Sequence, residues 1–299
     1  MPELPEVENL RLGLGRTIIG QKIRGVKVEK PKLISGKGTL RTASLPKKAE
    51  FIKGIRGERF VAVERRAKNL IFKLSSGKVI LAHLKMSGQF VYQDKNKKET
   101  VTGGHPIEIS ETKLPNKHSH IIFELENGTL YYNDTRMFGY LLYYPDMETF
   151  EVENHFGLYG LEPLSNEFTA KYFTESLKKK SGKIKAVLMD QKIVTGLGNI
   201  YADESLFEAN IRPDRNASSL AKAEVEKLHK AIKRIIKRAT KVGGSSVATY
   251  RLLDNTRGNY AREHKVYGKA GELCPVCKKP LKKIIIGGRT TIFCLNCQK

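Results

Sequence analysis

The sequence predicts a multidomain α+β protein in which a strand-rich region, a helical region and a small metal-held module follow one another along the chain. Three observations carry this prediction. Between Gly20 and Tyr144, eight short runs with alternating apolar residues are separated by Gly, Asn and Ser, the pattern of a β-sandwich or barrel. After Ser165 the apolar spacing becomes helical. The only four cysteines, Cys274, Cys277, Cys294 and Cys297, stand as C-x2-C-x16-C-x2-C near the C-terminus.

A chain of 299 residues can build several cores, and the composition shifts divide it as 1–158, 159–262 and 263–299. The formal charge is +23, from 54 Lys+Arg against 31 Asp+Glu. A compact state tolerates that self-repulsion best beside a polyanion, so nucleic acid leads as partner and an anionic membrane surface comes second. No apolar run approaches the ~20 residues of a membrane span, and no export signal pattern is present. A cytoplasmic protein without membrane association is expected.

The chain opens Met1-Pro2-Glu3-Leu4-Pro5-Glu6. Removal of Met1 is expected before so compact a residue and leaves Pro2 with a free secondary amine. An α-amine titrates near ~8 against ~10.4 for lysine, so more of it is neutral and nucleophilic at pH 7. Condensed with an aldehyde carbon, a secondary amine gives an iminium with no N–H to lose, a persistent electron sink. Glu3 can move protons at the same centre. The plainer reading is a helix start: Pro5 suits a first turn, Glu6 and Glu8 suit the positive end of the dipole, and Val7, Leu10 and Leu14 line one buried face.

The strand runs are Lys22–Val28, Gly57–Glu64, Asn69–Leu74, Val79–His83, Gln89–Tyr92, His120–Leu125, Thr129–Asn133 and Tyr140–Tyr144. Gln93–Lys117, polar and lysine-rich, reads as a long surface loop. Gly160–Ser165 reads as a linker. Helices are expected over Asn166–Lys179, Ile184–Asp190, Asn199–Ala209 and Leu220–Val242, the last capped by Ser218 or Ser219 and ended by Gly243-Gly244. Two disulfides are the alternative for the cysteines, but a charge-rich cytosolic chain favours one tetrahedral zinc ion. The module has few apolar residues, so the metal must supply folding energy.

The whole chain resembles the bacterial formamidopyrimidine-DNA glycosylases, the Fpg/MutM family that removes oxidised purines. The resemblance is carried by Pro2–Glu8, Arg65-Arg66-Ala67-Lys68-Asn69-Leu70, His83-Leu84-Lys85-Met86-Ser87-Gly88, Asp134-Thr135-Arg136-Met137-Phe138-Gly139, Gly196–Glu204 and the cysteine module with Gly288-Arg289-Thr290-Thr291. It implies an N-terminal β-sandwich carrying the first helix, a helix–two-turn–helix domain and a four-cysteine zinc finger, with DNA between the domains. It implies Pro2 as the Schiff-base nucleophile, Glu3 as its proton partner, Lys68 in β-elimination and Arg289 in δ-elimination. It also assigns His118 and Lys185 to DNA phosphates and Glu6 to the buried site; Lys179, next to Lys180, is a similar candidate or simply a solvated helix end, and Asn199 opens the helix start offered to a phosphate or caps it.

An attacked base must leave the stack, and something must fill the hole. Met86 and Phe138 are apolar wedges, and Arg136 can donate to the orphan base. Core packing is the ordinary alternative for Met86 and Phe138, and an ion pair with Asp134 for Arg136. His120, two residues from His118, reads as either a neighbour of that contact or core. Gly196-Leu197-Gly198 lets a phosphate approach a helix start, or simply makes a tight turn.

The implied reaction is base excision on Pro2 followed by β,δ-elimination at an abasic site in double-stranded DNA, by a monomer in the bacterial cytoplasm, nucleoid-associated through its DNA binding. The sequence departs from the family pattern at Thr135, at Met137, where a basic residue is common, and in the length of 93–117. The rivals are an endonuclease VIII-like enzyme acting on oxidised pyrimidines and a non-catalytic zinc-finger DNA binder, which leaves Pro2, Glu3 and Lys68 idle.

Overall fold

A computed structural model describes residues 1–38, 40–95, 100–104 (backbone only), 114–154, 156–245 and 258–299. They divide into two compact units, Met1–Phe156 with Gly243–Gly258, and Gly157–Val242 with Asn259–Lys299.

In the first unit the order is α1 (Leu4–Ile18), β1 (Ile23–Val28), α2 (Leu45–Ile55), β2 (Phe60–Arg66), β3 (Asn69–Leu74), β4 (Val79–His83), β5 (Gly88–Asp94), β6 (Thr100–Gly104), β7 (Ser119–Leu125), β8 (Gly128–Asp134), β9 (Tyr140–Tyr144) and α3 (Met147–Asn154). The strands make antiparallel sheets β1-β7-β8-β5-β6 and β2-β3-β4-β9. One apolar core joins them, as a sandwich requires: Phe60 meets Phe123 at 6.2 Å and Phe72 meets Phe90 at 5.5 Å, ring to ring across the sheets. Helix α1 seals this core with Leu4, Val7, Leu10, Leu14 and Ile18, all buried. Each such side chain contributes roughly 1.5–3 kcal/mol, so the helix tip is fixed by its apolar stripe and Pro5 starts it without losing a backbone donor.

The expected surface loop over 93–117 is corrected in part. Strand β6 pairs with β5, Gln93 opposite Thr100 through Gln89 opposite Gly104, while 96–99 and 105–113 lie outside the described residues. Helix α2 was not anticipated; Ser44 caps it by accepting from Lys47 N at 3.3 Å, and Pro46 sits in its first turn.

The second unit holds α4 (Ala170–Lys178), α5 (Ile184–Met189), α6 (Asn199–Ala209), α7 (Lys222–Lys241), and the hairpin β10 (Lys282–Ile286) with β11 (Arg289–Phe293). Helix α6 is buried nearly all round, the mark of a central helix. Helix α7 buries Val225, Leu228, Ala231, Ile232, Ile235, Ile236 and Ala239 and leaves its basic side outward. Its expected Ser cap is corrected: Ser218 and Ser219 belong to a preceding 3₁₀ turn, and Ala221 N donates instead to the Glu224 carboxylate at 2.9 Å.

Candidate functional site

The tip of α1 gathers titratable groups. Pro2 is buried, as are Glu3 and Glu6 at 3% and 2% exposure. Glu3 N donates to Glu6 Oε2 at 2.8 Å, and Ser245 N donates to Glu6 Oε1 at 2.6 Å. Glu6 therefore caps its own helix and fixes the end of the returning segment at once. Met1 precedes Pro2 in the structure, and its amine lies in the field of Glu3, Glu6, Lys68 and Arg136. Burial, the largest influence, draws that amine below the ordinary 8.0; the two carboxylates oppose this and the two cations reinforce it.

Lys68 reaches this field from a tight hairpin. Arg66 pairs with Asn69, so Ala67 and Lys68 alone connect β2 to β3, and Ala67 adopts φ +54°. A left-handed alanine costs about 1–2 kcal/mol, and the fold holds it there. Arg65 secures the hairpin, donating to Ala67 O at 2.9 Å and to Glu8 Oε2 on α1 at 2.9 Å. Burial raises the Glu8 carboxyl, but the hydrogen bonds from Arg11 and Arg65 win and hold it below its ordinary value. Lys68 itself is 7% exposed, partnered and internal rather than one more surface cation.

Two further turns repeat the device. Lys85 (φ +50°) precedes Met86, and Met137 (φ +54°) stands between Arg136 and Phe138. Met86 is 42% exposed, and Arg136 is exposed with its guanidinium 4.6 Å over the Phe138 ring. The turns share one buried carboxylate. Asp134 accepts from Ser87 Oγ at 2.5 Å, Arg136 N at 3.2 Å and Gly139 N at 2.8 Å. Asp134 thus meets Arg136 through its backbone amide rather than as the ion pair that was the alternative reading, and Asp134 and Ser87, which organise both turns, were not among the expected site residues. Met137 packs against the apolar core, which explains an uncharged residue there. His118 is half-buried beside β7; His120 is core, its Nε2 2.8 Å from Asp134 O.

In the second unit Lys185 is corrected. It is fully buried, 2.7 Å from Asp203 Oδ1, and donates to Thr290 O at 2.9 Å and Thr291 Oγ1 at 2.8 Å. With no exposed surface it ties α5 and α6 to β11 and is not free for a phosphate. Burial pushes the Asp203 carboxyl up against the pull of that ammonium. Glu204 accepts from Lys265 N, Val266 N and Tyr267 N at 2.8–2.9 Å, fixing the entry to the cysteine module. Asn199 opens α6 after Gly198 and donates to Thr290 O at 3.1 Å. Lys179 is exposed at the end of α4, and Arg289 is exposed at the start of β11.

The four cysteine sulfurs lie within 4.8 Å of one another, with Cys277···Cys294 at 3.4 Å and Cys274···Cys297 at 3.9 Å. A tetrahedron with ~2.3 Å Zn–S arms has edges of about 3.8 Å, so these thiolates fit one zinc ion and close its shell, leaving no position for substrate. Among the described residues no helix is long and apolar enough to cross a membrane.

Three family models match the chain in order: the formamidopyrimidine-DNA glycosylase N-terminal domain over 1–141, the formamidopyrimidine-DNA glycosylase H2TH domain over 159–251, and a zinc finger found in FPG and IleRS over 271–299. Formamidopyrimidine-DNA glycosylases of Listeria monocytogenes and Carboxydothermus hydrogenoformans are 42% and 38% identical, each covered completely by the complete chain. A Lactococcus lactis Fpg variant solved with Fapy-dG-containing DNA matches at TM-score 0.83 and 34% identity over 100% of both chains. The MutM (Fpg) protein of Thermus thermophilus matches at TM-score 0.81 and 33% identity over 99% of this chain and 98% of that one.

Proposed function

The chain belongs to the formamidopyrimidine-DNA glycosylase family, and from that membership we propose that it excises oxidised purines, 8-oxoguanine and formamidopyrimidines, from double-stranded DNA and then cleaves the abasic site. The observation that carries the proposal is the burial of Pro2, Glu3 and Glu6 at the tip of a helix anchored in the core, with the β2–β3 hairpin that carries buried Lys68 tied to that helix through Arg65 and Glu8.

With Met1 removed, the Pro2 nitrogen attacks C1′ of the everted nucleotide and the base departs with a proton. Glu3, beside it, assists opening of the sugar ring, which gives the iminium. That cation acidifies C2′, and Lys68, held by its strained turn, serves the proton transfers of β-elimination. The 3′ phosphate leaves first and the 5′ phosphate second, the second step aided by Arg289. Water then adds to the iminium carbon, the C–N bond breaks, the sugar remnant departs as an unsaturated aldehyde, and the free amine returns, leaving a gap with phosphates at both ends. Met86 and Phe138 fill the vacated stack while Arg136 meets the orphan base. His118, Lys179 and Asn199 contact phosphates. The zinc ion, when bound, supplies folding energy and holds the hairpin that carries Arg289. The enzyme acts as a monomer in the cytoplasm, associated with the nucleoid through its DNA binding.

Duplexes carrying 8-oxoguanine opposite cytosine and duplexes carrying thymine glycol test the assignment. The first is expected to be cleaved faster; the reverse order would assign the chain to the endonuclease VIII-like enzymes.

A further inference from the structure

The 136–139 turn must hold Arg136 and Phe138 stacked while Met137 occupies a conformation that a side chain resists. Asp134 secures the amide side of that turn, through Arg136 N and Gly139 N. The carbonyl side is secured from a segment distant in sequence. Arg41 donates through Nη2 to Met137 O at 2.9 Å and through Nη1 to Gly139 O at 2.9 Å and Gly36 O at 3.1 Å. Its guanidinium is half-buried, and burial holds its pKa below the ordinary value while Tyr132, Asp134 and Tyr140 oppose this. Leu40 beside it is fully exposed at 101%, so that neighbour adds no apolar anchor to Arg41. Hydrogen bonds from a cation are stronger than neutral ones, and a planar fork can span two carbonyls of one turn.

We infer that Arg41 is a positioning residue for base eversion: it clamps the carbonyls of Met137 and Gly139 so that Arg136 and Phe138 enter the duplex as one stacked unit. The inference rests on the reading of Arg136 and Phe138 as the wedge. Without the clamp, Met137 relaxes toward the ordinary backbone region, the stack opens, and the hole left by the everted base is filled badly. Arg41 touches no reacting atom, so cleavage of a pre-made abasic site, which needs no base excision, depends on it little.

The test uses the zinc-loaded enzyme under single turnover. Arg41→Ala is expected to excise 8-oxoguanine opposite cytosine about 10- to 100-fold more slowly, the cost of a small misplacement in a site. Its preference for cytosine over adenine opposite the lesion should fall, while incision at a pre-made abasic site stays within about threefold of wild type. In a double-mutant cycle, Arg41→Ala added to Arg136→Ala is expected to cost little more than Arg136→Ala alone. Wild-type excision and preference in Arg41→Ala would overturn the inference, as would an equal loss of abasic-site incision, which marks a general structural role. Should Arg41→Ala not fold, Arg41→Lys is read by the same two ratios, because it keeps the charge but lacks the fork. If Arg136→Ala itself leaves excision and preference unchanged, the wedge reading fails first, and separately.

Discussion

Lys185 separates a structural cation from a DNA contact, and its removal has a calculable cost. Lys185→Met deletes an ammonium that meets Asp203, Thr290 O and Thr291 Oγ1 inside 3 Å with no exposed surface. Asp203 would keep Ile292 N at 3.2 Å, and Thr290 O would keep Asn199 Nδ2 at 3.1 Å. The main loss is therefore the charge partner of a buried carboxylate. Breaking a buried pair costs about 3–5 kcal/mol. Burial already pushes the Asp203 carboxyl up to about 7, so it can take a proton near neutrality, which places the cost at the lower end, about 3 kcal/mol. A fall in Tm on the order of 10 °C follows. Replacing both partners, Lys185→Met with Asp203→Leu, should recover most of it. The second readout is the salt dependence of duplex affinity. Losing a phosphate contact reduces the slope of log K against log salt by about 0.9, whereas a buried tie leaves it unchanged. A Lys185→Met enzyme of wild-type stability with a slope shallower by about one would refute the structural assignment.

Two other outcomes follow from the second unit. Stripping zinc with a thiol-competitive chelator should unfold the β10–β11 module, because Cys274 and Cys294 belong to its small core with Phe207, Val266, Leu281 and Ile292. Gel analysis should show weakened duplex binding and a lost δ-elimination product; a metal-free protein retaining both would contradict this. His264 is 5% exposed, and burial, aided by Lys269, lowers its pKa from 6.5 to about 4. Its folded pKa is depressed, so the unfolded chain binds the proton first as pH falls. The stability it secures is complete above about 6.5 and declines toward about 4, by about 3 kcal/mol in all. Urea titrations at pH 7 and pH 4.5 should therefore converge for His264→Asn relative to wild type, and equal pH dependence in both would count against it.

What the sequence disclosed was chiefly local. Apolar residues at every second position revealed the sandwich strands, as Leu70, Phe72 and Leu74 of β3 line the shared core. The zinc site was plain because two C-x2-C pairs match the ligand spacing of one tetrahedral ion. Helix α2 was hidden because it buries only Phe51 and Ile55 and interrupts a run of strands. Strand β6, Thr100–Gly104, is short, polar and glycine-ended, so nothing in its sequence distinguishes it from a loop; only pairing with β5 makes it a strand. Lys185 and Arg41 were illegible for a different reason. Their partners lie about a hundred residues away, at Thr290 and Thr291 for one and at Met137 and Gly139 for the other, and no local pattern distinguishes an inward cation from a solvated one. The left-handed conformations of Ala67, Lys85 and Met137, each next to a candidate functional side chain, were likewise invisible without backbone geometry.

The central claim is that the Pro2 nitrogen itself forms the bond to DNA. Intact mass spectrometry of purified enzyme, followed by borohydride reduction with 8-oxoguanine duplex and peptide mapping of the adduct, tests it most directly. The account predicts a chain lacking Met1, one reduced cross-link located on Pro2, and almost no adduct from Pro2→Gly. An adduct mapped to Lys68, or efficient trapping by protein that retains Met1, would contradict it.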